Sequence, residues 1–95
     1  MYRHGDLLIL EVGTIPRDAV SREGDILAEG EATGHAHRVD TGILYEKNGK
    51  IYLDVKEAKA SLTHEEHGLI ALPKGRYEVI RQREYQPEGI RNVVD

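Results

Sequence analysis

The run ILYEKNGKIYLDV, Ile43 to Val55, alternates apolar and polar positions on both sides of an Asn-Gly pair. Asn48 and Gly49 are the residue types that accept positive φ, and two such residues between alternating runs predict a β-hairpin with a type I′ turn. A two-residue loop fixes the register. Leu44 then faces Leu53, Tyr45 faces Tyr52 and Glu46 faces Ile51, which puts Leu44, Ile51, Leu53 and Val55 on one side and Ile43, Tyr45 and Tyr52 on the other.

The same pattern reading predicts further strands. DLLILEV (Asp6 to Val12) is apolar enough to be covered on both faces, and DILAE (Asp25 to Glu29) is followed by a glycine-punctuated bend and an extended piece from His35 to Val39. KASLT and LIAL are short strand candidates. RYEVIRQREY alternates Tyr77, Val79, Arg81, Arg83 and Tyr85 against Glu78, Ile80, Gln82 and Glu84, and IRNVVD suggests a last strand. IPRDAVSREG reads as the one long connection. LTHEEHG is different: Thr63 with Glu66 three residues on matches a capping box, and Gly68 stands where a C′ glycine belongs, so one helical turn is expected near 63–68. Together these elements predict an all-β single domain over 1–95, a small barrel or two-sheet sandwich of about seven or eight strands.

Composition narrows the picture. Among 95 residues there are five Tyr but no Phe, Trp or Cys, so the core must be Leu, Ile and Val, without disulfides or thiolate metal sites. A third of the chain, 32%, is charged, which leaves little apolar surface and makes a homo-oligomer a reasonable supplement to a small core. The longest apolar runs are far too short for a membrane span or signal peptide, and a soluble cytoplasmic protein is the expectation. A net charge of −4 argues against nucleic-acid binding through bulk charge.

The candidate chemistry lies in the histidines. Four of the five fall in two tight pairs, GHAHR and HEEH. On an extended chain His35 and His37 point to the same side, and on a helical turn His64 and His67 do so too. Each pair could therefore chelate an ion. The four together predict a site for a divalent transition metal (Zn, Mn, Fe or Ni), with Glu65 or Glu66 as proton shuttle in a metal-assisted hydrolase. Four histidines on one tetrahedral ion would leave no place for water, which favours a structural role. The same residues admit a metal-free alternative, a ribonuclease-like phosphodiesterase acting on RNA by histidine acid/base catalysis, with Arg38, Arg81 and Tyr85 in support. A third alternative is a non-catalytic oligomeric scaffold or binding module. On the plainest reading HAH is a half-exposed strand, HEEH a solvated turn and His4 a terminal surface residue. There is no Walker loop, dinucleotide fingerprint or nucleophile serine setting.

GHAHR, the run from LTHEEHG through RQREY and the closing IRNVVD resemble motifs shared by short uncharacterised microbial and phage proteins, a likeness spanning Gly5 to Asp95. That resemblance implies grouping and no activity. GEATGHAH more weakly resembles the first motif of the cupins, which implies a small β-barrel whose metal is held by His and Glu. The chain departs from that pattern: Asp40 is the only carboxylate close after the pair, and HEEH stands where a single histidine is expected.

Overall fold

The computed structural model describes residues 1–29 and 34–81. Eight strands follow in chain order: β1 (Tyr2–His4), β2 (Leu7–Val12), β3 (Val20–Arg22), β4 (Ile26–Glu29), β5 (Ala36–Val39), β6 (Ile43–Lys47), β7 (Lys50–Thr63) and β8 (Ile70–Arg81). All pairings are antiparallel and join into one sheet, β1-β2-β8-β7-β5-β4, with β6 on the first half of β7 and β3 beyond it. The all-β expectation holds, and the barrel or sandwich takes the form of one bent sheet.

The Asn48-Gly49 hairpin forms in the register the sequence dictates, Leu44 opposite Leu53, Tyr45 opposite Tyr52 and Glu46 opposite Ile51. Asn48 has φ 52° and Gly49 φ 80°, as a type I′ turn requires. Leu44, Leu53 and Val55 are buried to 1% exposure or less. What the sequence reads as a hairpin strand and a separate KASLT strand is one strand, β7. Likewise LIAL and RYEVIR are one strand, β8.

This long hairpin organises the molecule. Val55 pairs with Gly75 and Lys59 with Pro73, so Lys56, Glu57 and Ala58 stand against Lys74 alone. Such a bulge bends the strand and raises its twist. Beyond it β7 changes its second neighbour from β6 to β5. Leu7, Ile9, Leu44, Leu53 and Val79 from one side of the bend then meet Leu27, Val39, Leu62 and Leu72 from the other in a single cluster. Tyr77, fully buried, bridges the bend by donating its hydroxyl to the Pro73 carbonyl at 2.5 Å.

Three local expectations are corrected. No helical turn forms at 63–68: Thr63 ends β7 and pairs with Arg38, and the segment after it is a bend. Sheet pairing has outcompeted the capping box, and the Glu66 N–H is instead accepted by His64 Nδ1 at 2.9 Å. The connection at 15–24 contains β3, which pairs with β6. His4, expected as a terminal surface residue, lies in the strand Tyr2–His4 and is buried. The expected strand at IRNVVD lies outside the described residues, as do Gln82, Arg83, Glu84 and Tyr85.

Candidate metal centre

The fold brings all five histidines to one place. Gly5 and Asp6 form a two-residue loop between β1 and β2, with His4 opposite Leu7. Residues directly opposite share a face, so His4 turns inward with the fully buried Leu7 and is itself 2% exposed. Arg38 pairs with Thr63, and one step further along that register His37 meets His64, ring centroids 4.4 Å apart. His35 lies 5.7 Å from His64, and His67 lies 4.6 Å from His64, centroid to centroid. Leu7 pairs with Arg81, which carries the end of β8 to Asp6.

Asp6, Glu29, His35, His37, His64, Glu66, His67 and Arg81 line a pocket of about 160 Å³. That is below the ~300 Å³ at which small-molecule sites usually begin. A larger depression of about 540 Å³ lies at the bend, between residues that include Lys56, Lys74 and Arg76. Its lining carries one carboxylate, Asp54, paired with Lys56, and no histidine.

Hydrogen bonds set the tautomers. His4 Nε2 sits 2.9 Å from the Gly68 carbonyl, which can only accept, so Nε2 carries the proton. With His4 neutral its Nδ1 is an acceptor, and His37 Nδ1–H donates to it at 2.8 Å. His37 then presents a lone pair at Nε2, 3.2 Å from Asp6 Oδ1. A proton between those two atoms would complete an ion pair, but burial first, and then the neighbouring His64 and His4, push His37 down to about 4 against the pull of Asp6. At neutral pH the lone pair is therefore bare. Burial lowers His4 as well, helped by His67 and His64 and opposed by its bond to Gly68.

The outer part of the cluster is differently built. Glu65 Oε1 accepts the Ala36 N–H at 2.9 Å, a bond that holds its carboxyl below the usual range. His35 Nδ1 lies 3.4 Å from Glu66 Oε2. The ligand atoms of His35, His64 and Glu65 all lie within 4.8 Å of one another. Arg81 donates to the Glu29 carbonyl at 2.7 Å and to Asp6 Oδ2 at 3.4 Å.

Of the residues singled out from sequence, His35, His37, His64, His67, Glu65, Glu66 and Arg81 come together. Arg38 does not: it is exposed on β5 and pairs with Asp25 at 3.6 Å. Tyr85 lies outside the described residues. Asp40, the carboxylate of the cupin likeness, accepts from Ser61 N at 2.8 Å, away from the cluster. Sequence reading missed His4 and Asp6. The signal was present, since Gly-Asp between YRH and LLIL is itself a two-residue hairpin loop.

Fold and cluster define a small, bent antiparallel β domain with a histidine-rich pocket. The chain belongs to the family described as a domain of unknown function, DUF8820, which matches residues 3–82 and so spans every cluster residue from His4 to Arg81. No curated protein and no solved structure matches it. Among the described residues no helix is long and apolar enough to cross a membrane.

Proposed function

We propose that the protein binds a divalent transition-metal ion through His35, His64 and Glu65 and acts as a metal-assisted hydrolase. The observation that carries this reading is the close approach of those three ligand atoms, within 4.8 Å, with a second partner behind two of them. Glu66 lies behind His35 at Nδ1, and the Ala36 N–H lies behind one oxygen of Glu65. Metal-bound imidazoles and carboxylates are typically held from behind in this way. At His64 the ion would replace the Glu66 amide at Nδ1, because a neutral ring accepting there carries its proton at Nε2.

Two histidines and one carboxylate leave at least one position open, unlike four histidines on one tetrahedral ion. An ion so held would lower the pKa of a bound water towards ~7, which is the chemistry a hydrolase needs. Glu66, exposed at the pocket rim, would carry protons, and Arg81 supplies positive charge facing the pocket. The donor set suits Zn or Fe, with Mn and Ni as competitors.

The metal-free reading has one supporting observation: the His37 and His64 rings lie 4.4 Å apart, centroid to centroid, two imidazoles within reach of one substrate. Its weakness is magnitude. A base at about 4 is some three units below neutral pH and accepts a proton poorly in the transition state. The pocket volume also suits an ion and a small group better than a nucleotide.

Elemental analysis of untagged protein, with ester and phosphoester hydrolysis assayed with and without EDTA, tests the proposal. Bound metal that His35→Ala removes, together with EDTA-sensitive turnover, is the expected result. Metal-free protein that cleaves RNA in EDTA would replace this reading with the acid/base one. Absence of both metal affinity and turnover would leave a binding module, for which light scattering of the wild type tests self-association.

A further inference from the structure

The outer side of the sheet carries a second concave surface. Along β8, Lys74 and Arg76 alternate with the buried Tyr77, so their side chains leave on the face away from the core. Residues directly opposite share a face, so Val12, Arg76 and Asp54, paired in a row across β2, β8 and β7, lie there together. The connection after β2 is tied back to this row. Arg76 Nη1–H donates to the Gly13 carbonyl at 3.2 Å, and the Ala19 N–H closes a turn on the Pro16 carbonyl at 3.0 Å. Two depressions result, about 540 and 320 Å³, and Asp54 and Arg76 line both. Each falls within the ~300–1,000 Å³ of small-molecule sites. Arg81, which lines the histidine pocket, points to the other face of β8, roughly 16 Å along the strand from Arg76.

Charge is unevenly distributed here. In a chain of net charge −4, four cations, Arg17, Lys56, Lys74 and Arg76, line the two depressions against a single carboxylate. That carboxylate, Asp54, is met by Lys56 Nζ at 3.4 Å. Among the described residues no carboxylate pairs with Arg17, Lys74 or Arg76. Cations gathered on a concave surface repel one another, and an anion relieves that repulsion. The smaller depression differs in character: Ile15, Pro16 and the half-buried ring of Tyr45 give it apolar walls. We infer that this groove binds a nucleotide, its phosphates among Lys56, Lys74 and Arg76 and its base against Tyr45 and Pro16, beside Arg17. Ammonium and guanidinium groups hold phosphate oxygens by charge-assisted hydrogen bonds, and the flat face of a base stacks on an aromatic ring. Asp54, at the junction of the two depressions, accepts a sugar hydroxyl, and its pairing with Lys56 offsets its repulsion of the phosphates. The site uses no histidine and is independent of the metal reading.

The test is proton–nitrogen correlation NMR of the chain in EDTA, titrated with ADP, inorganic pyrophosphate and a single-stranded RNA hexamer. ADP should shift the amides of Gly13, Lys74 and Gly75 together with those of Arg17 and Tyr45, and should saturate at sub-millimolar concentration. Pyrophosphate should move the first three only and bind more weakly. Lys74→Glu and Arg76→Gln, both at exposed positions, should each weaken ADP by roughly tenfold or more, the scale of one charged hydrogen bond. His35→Ala should leave ADP binding unchanged. No saturable shift with either ADP or pyrophosphate overturns the site. Pyrophosphate binding as tightly as ADP overturns the nucleotide assignment, and an RNA hexamer binding far more tightly at the same amides replaces the single nucleotide with a strand. ADP binding that His35→Ala abolishes and Lys74→Glu spares overturns the groove and moves the ligand to the histidine pocket.

Discussion

His4 and His37, thirty-three positions apart, meet Nδ1 to Nδ1 at 2.8 Å in the buried floor of the pocket. Neither ring makes sense alone. His4 is held by the Gly68 carbonyl, and His37 is held by His4. Removing one partner strands polar atoms of the others. His4→Ala is expected to cost about 2–3 kcal/mol in urea unfolding, the penalty of leaving the buried His37 Nδ1–H and the Gly68 carbonyl without their partner.

Acidification should destabilise the metal-free protein. The unfolded chain takes up a proton at His37 near the ordinary value of about 6.5, whereas the folded chain waits until about 4. Below pH 6.5 the unfolded state thus binds more protons, and stability falls until the folded ring is protonated too. His4, also lowered, adds in the same direction. Thermal melts in EDTA should drop most between about pH 6 and pH 4.5. In His37→Gln the loss over that window should shrink, and an unchanged profile would refute the assignment.

Gly5→Ala attacks the site through the backbone. A left-handed φ disfavours any side chain by about 1 kcal/mol, and the new methyl meets His67 Nε2 at 2.6 Å. We expect a lowered melting temperature together with displacement of the His67 ring, seen as shifted imidazole resonances in NMR while the core methyl spectrum stays intact.

Gly49→Ala is the matching control. Gly49 also has positive φ, at the tip of the β6–β7 hairpin, with nothing near the added methyl. It should cost a similar ~1 kcal/mol and leave histidine resonances and metal uptake unchanged.

Core truncation should be far more damaging. Leu53 and Leu72 are fully buried in the cluster that joins the two sides of the bend. Leu53→Ala or Leu72→Ala is expected to cost 2–5 kcal/mol by denaturant titration, with the loss of solvent-accessible order spreading to the pocket.

Chemistry held within a few consecutive residues was legible in the chain. Asn48-Gly49 fixes its hairpin register because a two-residue loop permits one pairing and the alternation permits one inward face. Where local signals were weak or in conflict, the reading went astray. Val20–Arg22 forms a strand with Val20 and Ser21 exposed, so no alternating apolar face announced it. KEA, Lys56 to Ala58, separates two strand candidates because three residues interrupt the apolar pattern, yet β8 holds β7 continuous across a bulge. Thr63 and Glu66 spell a cap, and sheet pairing to Arg38 overrides it.

What the sequence determined by itself was an all-β chain with histidines coupled in short pairs, since strand periodicity and turn chemistry act over a few residues. The meeting of those pairs with His4 and Asp6 was decided only in three dimensions. It depends on the pairings Leu7 with Arg81 and Arg38 with Thr63, and on a bend that lets one core serve both sides. Those pairings join segments far apart in the chain, and packing over the whole core selects them, not any local spacing.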